Sequence, residues 1–280
     1  MRRSFVMFAL CAVLTPALPA LAQTASTAAS AITVPAPLQS AIDGSWRKPA
    51  DVARDRYRHP GQTLAFFGVQ QHDTVIEITP GNGWYSAILA PYLKGQGQYI
   101  AAVVDPAAVA EKSRASQQKA KDSLEALYKS DATHYGEAKV VTYAPATPSF
   151  GPANSADVVL TFRNVHNWRM ADNDAAMFKG FFAVLKPGGT LGVVEHRAAK
   201  AVPDGDESGY VGEDQVIALA TAAGFKLEAK SEINANPRDT KDYPGGVWTL
   251  PPTNNHDKAD DAKYQAIGES DRMTLRFVKP

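Results

Sequence analysis

The sequence predicts an α/β fold in which one seven-stranded sheet, mostly parallel, carries helices on both faces. Short apolar runs alternate with helical stretches five times in succession, as in the β-α units that build a parallel sheet. The first apolar run ends in a glycine-rich turn at residues 79–83. No clear helix separates the last two apolar runs, which predicts that they pair as a hairpin and place one antiparallel terminal strand in the sheet.

The strands are expected where apolar and β-branched residues cluster between turn residues. The expected strands are residues 74–78, 98–104, 139–143, 157–162, 190–195, 225–233 and 273–278. Helical spacing predicts helices that begin near Trp84 and that cover residues 107–129, 173–185 and 212–223, with Pro91 ending or kinking the first. This order predicts a Rossmann-like sheet, and such sheets bind ligands at the carboxyl ends of their central strands.

The first 22 residues are typical of a cleaved export signal. Arg2 and Arg3 form a basic beginning, an apolar run covers residues 5–14, and ALA at residues 20–22 has the small-residue pattern of a cleavage site. The apolar run is too short for a stable membrane anchor. We therefore expect cleavage after Ala22 and export to the periplasm or the cell exterior.

The remaining chain is expected to form one domain over residues 42–280. Residues 23–41 are rich in Ala, Ser, Thr and Pro, which predicts a flexible lead-in. Residues 42–68 have a helical pattern that Pro60 interrupts. Residues 234–270 form a long insertion, and insertions of this length in compact domains are usually functional or partly disordered.

The composition excludes several classes of function. The formal charge is zero, and removal of the leader leaves 27 basic and 29 acidic residues, so no nucleic-acid partner is indicated. A small, neutral or partly apolar molecule fits this balance better than a polyanion. The only cysteine, Cys11, lies in the leader, which excludes thiolate chemistry in the mature chain. We see no metal-ligand spacing of His or carboxylates and predict no metal.

The turn after the first strand is the main candidate for a binding site. Gly81 and Gly83 permit a tight turn and a close approach of the backbone to a ligand. Asp105 ends the second strand, 22 residues after Gly83, where a carboxylate can accept hydrogen bonds from both ribose hydroxyls of a nucleoside. The alternative is an ordinary turn followed by a solvent-exposed aspartate. A dinucleotide fingerprint would need glycine where Ser86 stands and has no use for Glu77.

The segment VIEITPGNGW, residues 75–84, resembles motif I of the class I S-adenosylmethionine-dependent methyltransferases. In that family an acidic residue precedes alternating glycines, and the amino-acid part of the cofactor lies over the turn. The resemblance implies S-adenosyl-L-methionine as the cofactor. Thr79 stands where the family usually has its first glycine, which narrows the freedom of the backbone. The implied cofactor-binding residues are Glu77, Thr79, Gly81, Gly83 and Asp105.

Later segments resemble the methyltransferases of ubiquinone and menaquinone biosynthesis. TFRNVHNW follows the fourth strand at residues 161–168, and LKPGG precedes the fifth strand at residues 185–189. This resemblance covers residues 69–225. The whole chain is similar to a group of exported predicted methyltransferases that carry YRHP and RNVHNW segments. The resemblance implies an enzyme that methylates a small-molecule acceptor.

Arg163, Asn164 and His166 follow the fourth strand and are the candidate catalytic residues. In the resembled family this segment borders the sulfonium group of the methyl donor and the acceptor. His166 can accept a proton as the acceptor attacks, because imidazole titrates near neutrality. The alternative is that Asn164 and His166 only cap the loop and the helix that follows it.

Two further polar clusters allow two interpretations each. The cluster after the fifth strand either orients an acceptor or forms a charged surface group, and we favour the surface interpretation. The cluster in the N-terminal helical segment either covers the pocket or forms a packed helix turn. The first cluster is Glu195, His196 and Arg197, and the second is Tyr57, Arg58 and His59.

The sequence leaves three alternative hypotheses for the function. The first is methyl transfer to a small acceptor, in a site that Phe66, Phe67, Trp84 and Trp168 could line. The second is an exported, non-catalytic protein that binds a nucleoside or another metabolite on the same fold; export favours it, because the methyl donor is made in the cytoplasm. The third, a nicotinamide oxidoreductase, is disfavoured by the glycine pattern. The paired arginines of the leader resemble a twin-arginine signal, which would carry a folded protein with its cofactor bound.

Overall fold

The computed structural model describes Ile32–Pro280 and places seven strands in one sheet. The strands are β1 (Thr74–Ile78), β2 (Gln98–Val104), β3 (Lys139–Tyr143), β4 (Ala156–Phe162), β5 (Leu185–His196), β6 (Lys226–Ser231) and β7 (Arg272–Val278). Their order across the sheet is β3-β2-β1-β4-β5-β7-β6. β7 runs antiparallel to both neighbours, and the other neighbouring pairs are parallel. The predicted fold class, including the terminal hairpin, is confirmed.

Helices cover both faces of this sheet. They are α1 (Ala36–Ile42), α2 (Pro49–Val52), α3 (Asp55–Arg58), α4 (Pro60–Phe66), α5 (Ser86–Leu93), α6 (Glu111–Ser130), α7 (Ala132–Tyr135), α8 (Val165–Met170), α9 (Asp174–Val184), α10 (Glu213–Ala222) and α11 (Asp261–Ile267). Successive residues of a strand point to opposite faces. Val75 therefore packs in one apolar cluster with Leu89 of α5, whereas Ile76 packs in a second cluster with Phe178 of α9.

The central strands lie where the apolar runs predicted them, and the bounds of β1, β2 and β3 agree with the prediction to the residue. β5 is longer than predicted, because the backbone is already extended from Leu185 through the Lys-Pro-Gly-Gly segment. Its pairing with β4 shifts register between Ala156 and Val158. Pro91 lies inside α5, which ends two residues later at Leu93.

The predicted flexible lead-in is wrong from Ala36 onward. α1 begins there, with a proline at its start, and buries Leu38, Ala41 and Ile42 against α4 and α5. A helix of seven residues carries too little periodicity to stand out from an Ala- and Pro-rich segment. The expected leader at residues 1–22 and the lead-in up to residue 31 lie outside the described residues. Within 32–280, the helices are too short or too polar to cross a bilayer.

The insertion at residues 234–270 is folded rather than disordered. It contains the 3₁₀ turn Gly246–Thr249 and α11, and it buries Asn234, Asp239 and Leu250. The side-chain amide of Asn234 donates to hydroxyls on α4 and β7, which ties the insertion to the sheet. An insertion of this length was expected to be functional or partly disordered. The structure favours a functional insertion, because part of this segment lines a cavity at the end of the sheet.

Candidate functional site

A cavity of about 410 Å³ opens at the carboxyl ends of β1, β4 and β5. Strand order reverses between β1 and β4, since β1 pairs with β2 on one side and with β4 on the other, and this is where open α/β sheets bind ligands. Five parts of the chain form its wall: the end of β1 with the turn that follows it, the end of β4 with the residues that follow it, the end of β5 and two covering segments. The covering segments contribute Asp51, Arg54 and Arg58 before the sheet, and Val247, Trp248, Pro251, Pro252, Thr253, Glu269 and Ser270 near its last strand.

The end of β1 and the turn after it place Glu77, Thr79 and Gly81 in the cavity wall, and their role in cofactor binding stays a prediction. Gly81 has a φ of +59°, and a Cβ there would stand in open space with no heavy atom within 4 Å. Thr79 also has a positive φ, +50°, which is strained for a β-branched residue. Its backbone N–H donates to Ala102, and its hydroxyl is hydrogen-bonded to that of Tyr143 at 2.9 Å. The departure from glycine is thus compensated by hydrogen bonds of the threonine.

Two predicted cofactor residues, Gly83 and Asp105, do not line this cavity. Gly83 has a φ of +77°, and a Cβ there would meet Leu127 of α6 at 2.9 Å, so this glycine serves the turn and the helix packing. Asp105 directly follows β2, the neighbour of β1, and its carboxylate accepts a hydrogen bond from the backbone N–H of Ala107 at 2.9 Å. A role for Asp105 in ribose binding stays a prediction.

Glu77 is buried and ends a chain of hydroxyl groups. The Tyr99 hydroxyl donates to its carboxylate at 2.6 Å, and Tyr99 is hydrogen-bonded to Ser86, which accepts from Tyr128. Burial raises the pKa of Glu77 from 4.5 to about 7, although the bond from Tyr99 and the charge of Arg163 oppose the rise. Ser86, which stands where a dinucleotide fingerprint has glycine, is therefore part of a buried polar network.

We expect Glu77→Gln to change how stability depends on pH. Between pH 4.5 and about 7 the unfolded chain ionises this carboxyl while the folded chain retains its proton. The wild type should therefore lose stability as the pH rises through this window, by up to about 3 kcal/mol, whereas the glutamine variant should not. Urea unfolding at pH 5 and pH 8 measures the difference. Glu207→Gln, at an exposed position, is the control; a pH dependence equal in wild type and Glu77→Gln would contradict the prediction.

His166 and Glu195 form a buried pair at the cavity. The His166 Nδ1 lies 2.9 Å from Oε1 of Glu195, and the same carboxylate accepts the backbone N–H groups of Val165 and His196. Because a carboxylate only accepts, Nδ1 of a neutral His166 carries the proton, and Nε2 is left as the acceptor. The ring lines the cavity. This arrangement is suited to taking a proton from a bound molecule.

His196 also lines the cavity, and its Nδ1 is hydrogen-bonded to the Ser270 hydroxyl at 2.5 Å. Burial, His166 and nearby arginines hold the pKa of His196 well below its usual range, so this imidazole is neutral at neutral pH. The favoured surface interpretation is therefore wrong for Glu195 and His196, because the insertion covers this end of β5. Arg197 lies further out and binds Asp271 and Glu232.

His166, Glu195 and His196 are also a group of three potential metal ligands among the described residues. One ligand atom of each lies within 4.8 Å of the others. The Glu195 carboxylate, however, already accepts three hydrogen bonds from the protein. The absence of a metal stays a prediction of the sequence, and this cluster is where it can be tested.

The other two predicted catalytic residues differ in role. Asn164 lines the cavity, but its side-chain amide donates to the carbonyl of Ile78 at 3.0 Å and to Thr161, so it holds β1 and β4 together. The side chain of Asn164 does not cap α8, contrary to the alternative interpretation. Arg163 has a φ of +61° directly after β4, and its side chain lines the cavity.

A charged cluster closes the cavity on the side of the covering segments. The buried carboxylate of Glu269 accepts from Arg54 at 2.7 Å, from Arg58 at 3.1 Å and from Arg272 at 3.0 Å. The sequence interpretation in which the YRHP segment covers the pocket is thus correct for Arg58, whereas Tyr57 packs against Gly268 and His59 lies outside the lining.

Aromatic side chains supply much of the apolar wall. Tyr85 stacks on Phe162 with ring centroids 3.6 Å apart, and Trp248 meets the His166 ring edge to face at 5.9 Å. Of the four aromatic residues that we expected at the site, Trp84 lines the cavity. Phe67 and Trp168 are buried in the two apolar clusters, and Phe66 packs against Phe67.

Comparison with solved structures defines the fold. An S-adenosylmethionine-dependent methyltransferase from Aquifex aeolicus matches with a TM-score of 0.55 and 14% identity, over 83% of this chain and 94% of that one. The [4+2]-cyclase SpnF matches with the same TM-score and 16% identity, over 85% of each chain. No protein-family model matches the sequence, and no curated protein matches it significantly. The described residues have the Rossmann-like fold of the methyltransferase structures; the finer resemblance to quinone-biosynthesis and exported enzymes stays a prediction.

Proposed function

We propose that this protein transfers a methyl group from S-adenosyl-L-methionine to a small acceptor, and that His166 accepts the acceptor's proton. The observation that carries the proposal is the geometry of His166, whose Nδ1 is bonded to Glu195 at 2.9 Å while its ring lines a cavity beside the glycine turn. The fold and the motif I resemblance support the choice of cofactor. Fold alone does not decide function, since one similar structure is described as a [4+2]-cyclase.

The residues at the turn fit the amino-acid part of this cofactor. Gly81 leaves the backbone uncovered toward the cavity, because nothing occupies the space where its Cβ would stand. Glu77 presents a carboxyl group at the same wall, where it can accept hydrogen bonds from an amino group. When bound, the cofactor supplies an electrophilic methyl carbon on a sulfonium sulfur.

The chain's own contribution is to align the acceptor and to remove its proton. The acceptor's oxygen or nitrogen forms a bond to the methyl carbon as the carbon–sulfur bond breaks, and the bonding pair stays on sulfur. The acceptor's proton goes to Nε2 of His166, and Glu195 stabilises the imidazolium that results. Alignment of donor and acceptor supplies most of the rate acceleration in such a transfer. The aromatic walls around His166 therefore contribute by holding the acceptor in position.

A pair of glycine variants tests the cofactor site. Gly81→Val should weaken binding of S-adenosylmethionine by about tenfold or more, because a side chain there would occupy the cavity. Gly95→Val is the matched control: Gly95 has a φ of +78° and equally open space, but it lies outside the cavity lining. The two variants therefore carry similar backbone strain.

Isothermal titration of each protein with S-adenosylmethionine and S-adenosylhomocysteine gives the result. Equal loss of affinity in the two variants, or absence of binding to the wild type, would refute the cofactor assignment. Cofactor binding without transfer of a labelled methyl group to any small molecule of a cell extract would favour a non-catalytic binding protein on the same fold.

A further inference from the structure

The Arg163 side chain lines the cavity, and the carboxylate whose charge acts on it, Glu269, is bound by other arginines. Within residues 32–280, no side-chain hydrogen bond or ion pair involves this group. The residue also has a φ of +61°, a costly conformation for a long side chain, which is retained where the surroundings require it. An unpaired, desolvated cation destabilises a protein unless a bound anion compensates it.

The surroundings of Arg163 add positive charge. Glu269, the nearest carboxylate cluster, is already shared by Arg54, Arg58 and Arg272. Burial is the main reason that the pKa of Arg58 falls to about 9, and the positive charge of Arg163 lowers it further. The other carboxyl groups of the wall are those of Asp51 and of Glu77, and burial raises the pKa of Glu77 to about 7, so that it is only partly ionised at neutral pH. The arginines thus outnumber the ionised carboxylates.

We propose that the acceptor is a small aromatic hydroxy acid and that Arg163 binds its carboxylate. This rests on the proposed function and names its substrate class. Arg163 and His166 leave the same short segment after β4, so a single acceptor can place its carboxylate on the first residue and its hydroxyl near the second. Stacked aromatic rings, Tyr85 on Phe162, give the cavity a flat apolar wall. Such an acceptor is a partly apolar monoanion, which is consistent with the expectation of a small, neutral or partly apolar molecule rather than a polyanion.

Paired probes of equal shape test the charge requirement. With S-adenosylhomocysteine present at saturation, 4-hydroxybenzoate should bind the wild type about tenfold or more tighter than neutral 4-hydroxybenzamide, as a charge-assisted bond predicts. Arg163→Gln should remove this preference, and Arg163→Lys should keep part of it. Arg169→Gln should keep all of it, because Arg169 lies outside the cavity lining and is paired with Asp204. Equal binding of the two probes to the wild type would overturn the proposal.

The same variants separate the acceptor's carboxylate from that of the methyl donor. If Arg163 bound the donor instead, Arg163→Gln would weaken S-adenosylhomocysteine but not 5′-methylthioadenosine, which lacks the carboxylate; that result would overturn the proposal. We expect both affinities to be unchanged within about twofold.

If the wild type does not bind S-adenosylhomocysteine, the proposed function is refuted, but the anion site is not. A probe preference that is measured without the nucleoside and that requires Arg163 would still support the anion site. Removal of an unpaired charge should leave the melting temperature of Arg163→Gln equal or higher, which confirms that the variant is folded.

Discussion

Replacing His166 by glutamine is expected to lower kcat for methyl transfer by about 10²- to 10⁴-fold, the usual contribution of a general base. Glutamine can keep a hydrogen bond to Glu195 but cannot accept the acceptor's proton. The measurement uses methyl-labelled S-adenosylmethionine and an acceptor selected from a panel of small aromatic hydroxy acids. The deficit should shrink as the pH rises, because an acceptor hydroxyl that ionises in solution no longer needs a base.

His196→Gln is the matched control, since it removes a second imidazole from the same cavity. His196 is bonded to Ser270 through Nδ1, and within residues 32–280 its ring forms no hydrogen bond to a carboxylate. Its loss should cost about tenfold or less. Glu195→Gln should behave like His166→Gln, with the same recovery at high pH, because Glu195 acts by positioning the ring. Equal deficits in His166→Gln and His196→Gln at every pH would exclude a specific base.

Glu269→Gln should lower the free energy of unfolding by about 3–5 kcal/mol, because it leaves the buried Arg58 and Arg272 and the partly exposed Arg54 without their shared carboxylate. Guanidinium-induced unfolding of the purified protein measures this. Glu232→Gln is the control: Glu232 also binds an arginine, Arg197, but its side chain is 68% exposed, so its loss should cost about 1 kcal/mol or less. Similar losses for the two variants would show that the Glu269 cluster contributes no more than a surface ion pair.

The Glu269 cluster also predicts the direction of acid sensitivity. Burial alone would raise the pKa of Glu269, but the charges of Arg272, Arg58, Arg163 and Arg54 outweigh it and lower the pKa to about 2. The stabilisation is therefore present above pH 4.5 and is lost as the pH falls from 4.5 toward 2. Glu269→Gln should lack this part of the acid transition.

The central fold could be predicted because its signals are local. β1, β2 and β3 are short apolar runs bounded by turn residues, and β1 and β2 lie inside the sheet with most of their residues buried. Helix α1 could not be predicted, because its stability comes from packing against α4 and α5 rather than from its own periodicity.

The candidate site was predicted only in part, because some of its residues are brought together by contacts between distant parts of the sequence. Glu77, Gly81 and His166 lie next to recognisable strand ends, and the structure places them in one cavity. The burial of His196 depends on a segment more than seventy positions away, whose Ser270 binds its ring. The arginine excess was hidden because its members come from three separate segments of a chain whose total charge is zero. The charged run before β7, residues 269–272, was the available clue.

Glu269 joins the helices that precede the sheet to the segment that precedes its last strand. The sheet itself provides the glycine turn, whereas these two peripheral segments provide most of the remaining wall. A change of substrate specificity on this fold would therefore require simultaneous substitutions in both segments. A change in only one of the two segments would leave guanidinium groups without their carboxylate and would destabilise the fold. Selection for folding would then remove such a variant before a new substrate specificity could arise.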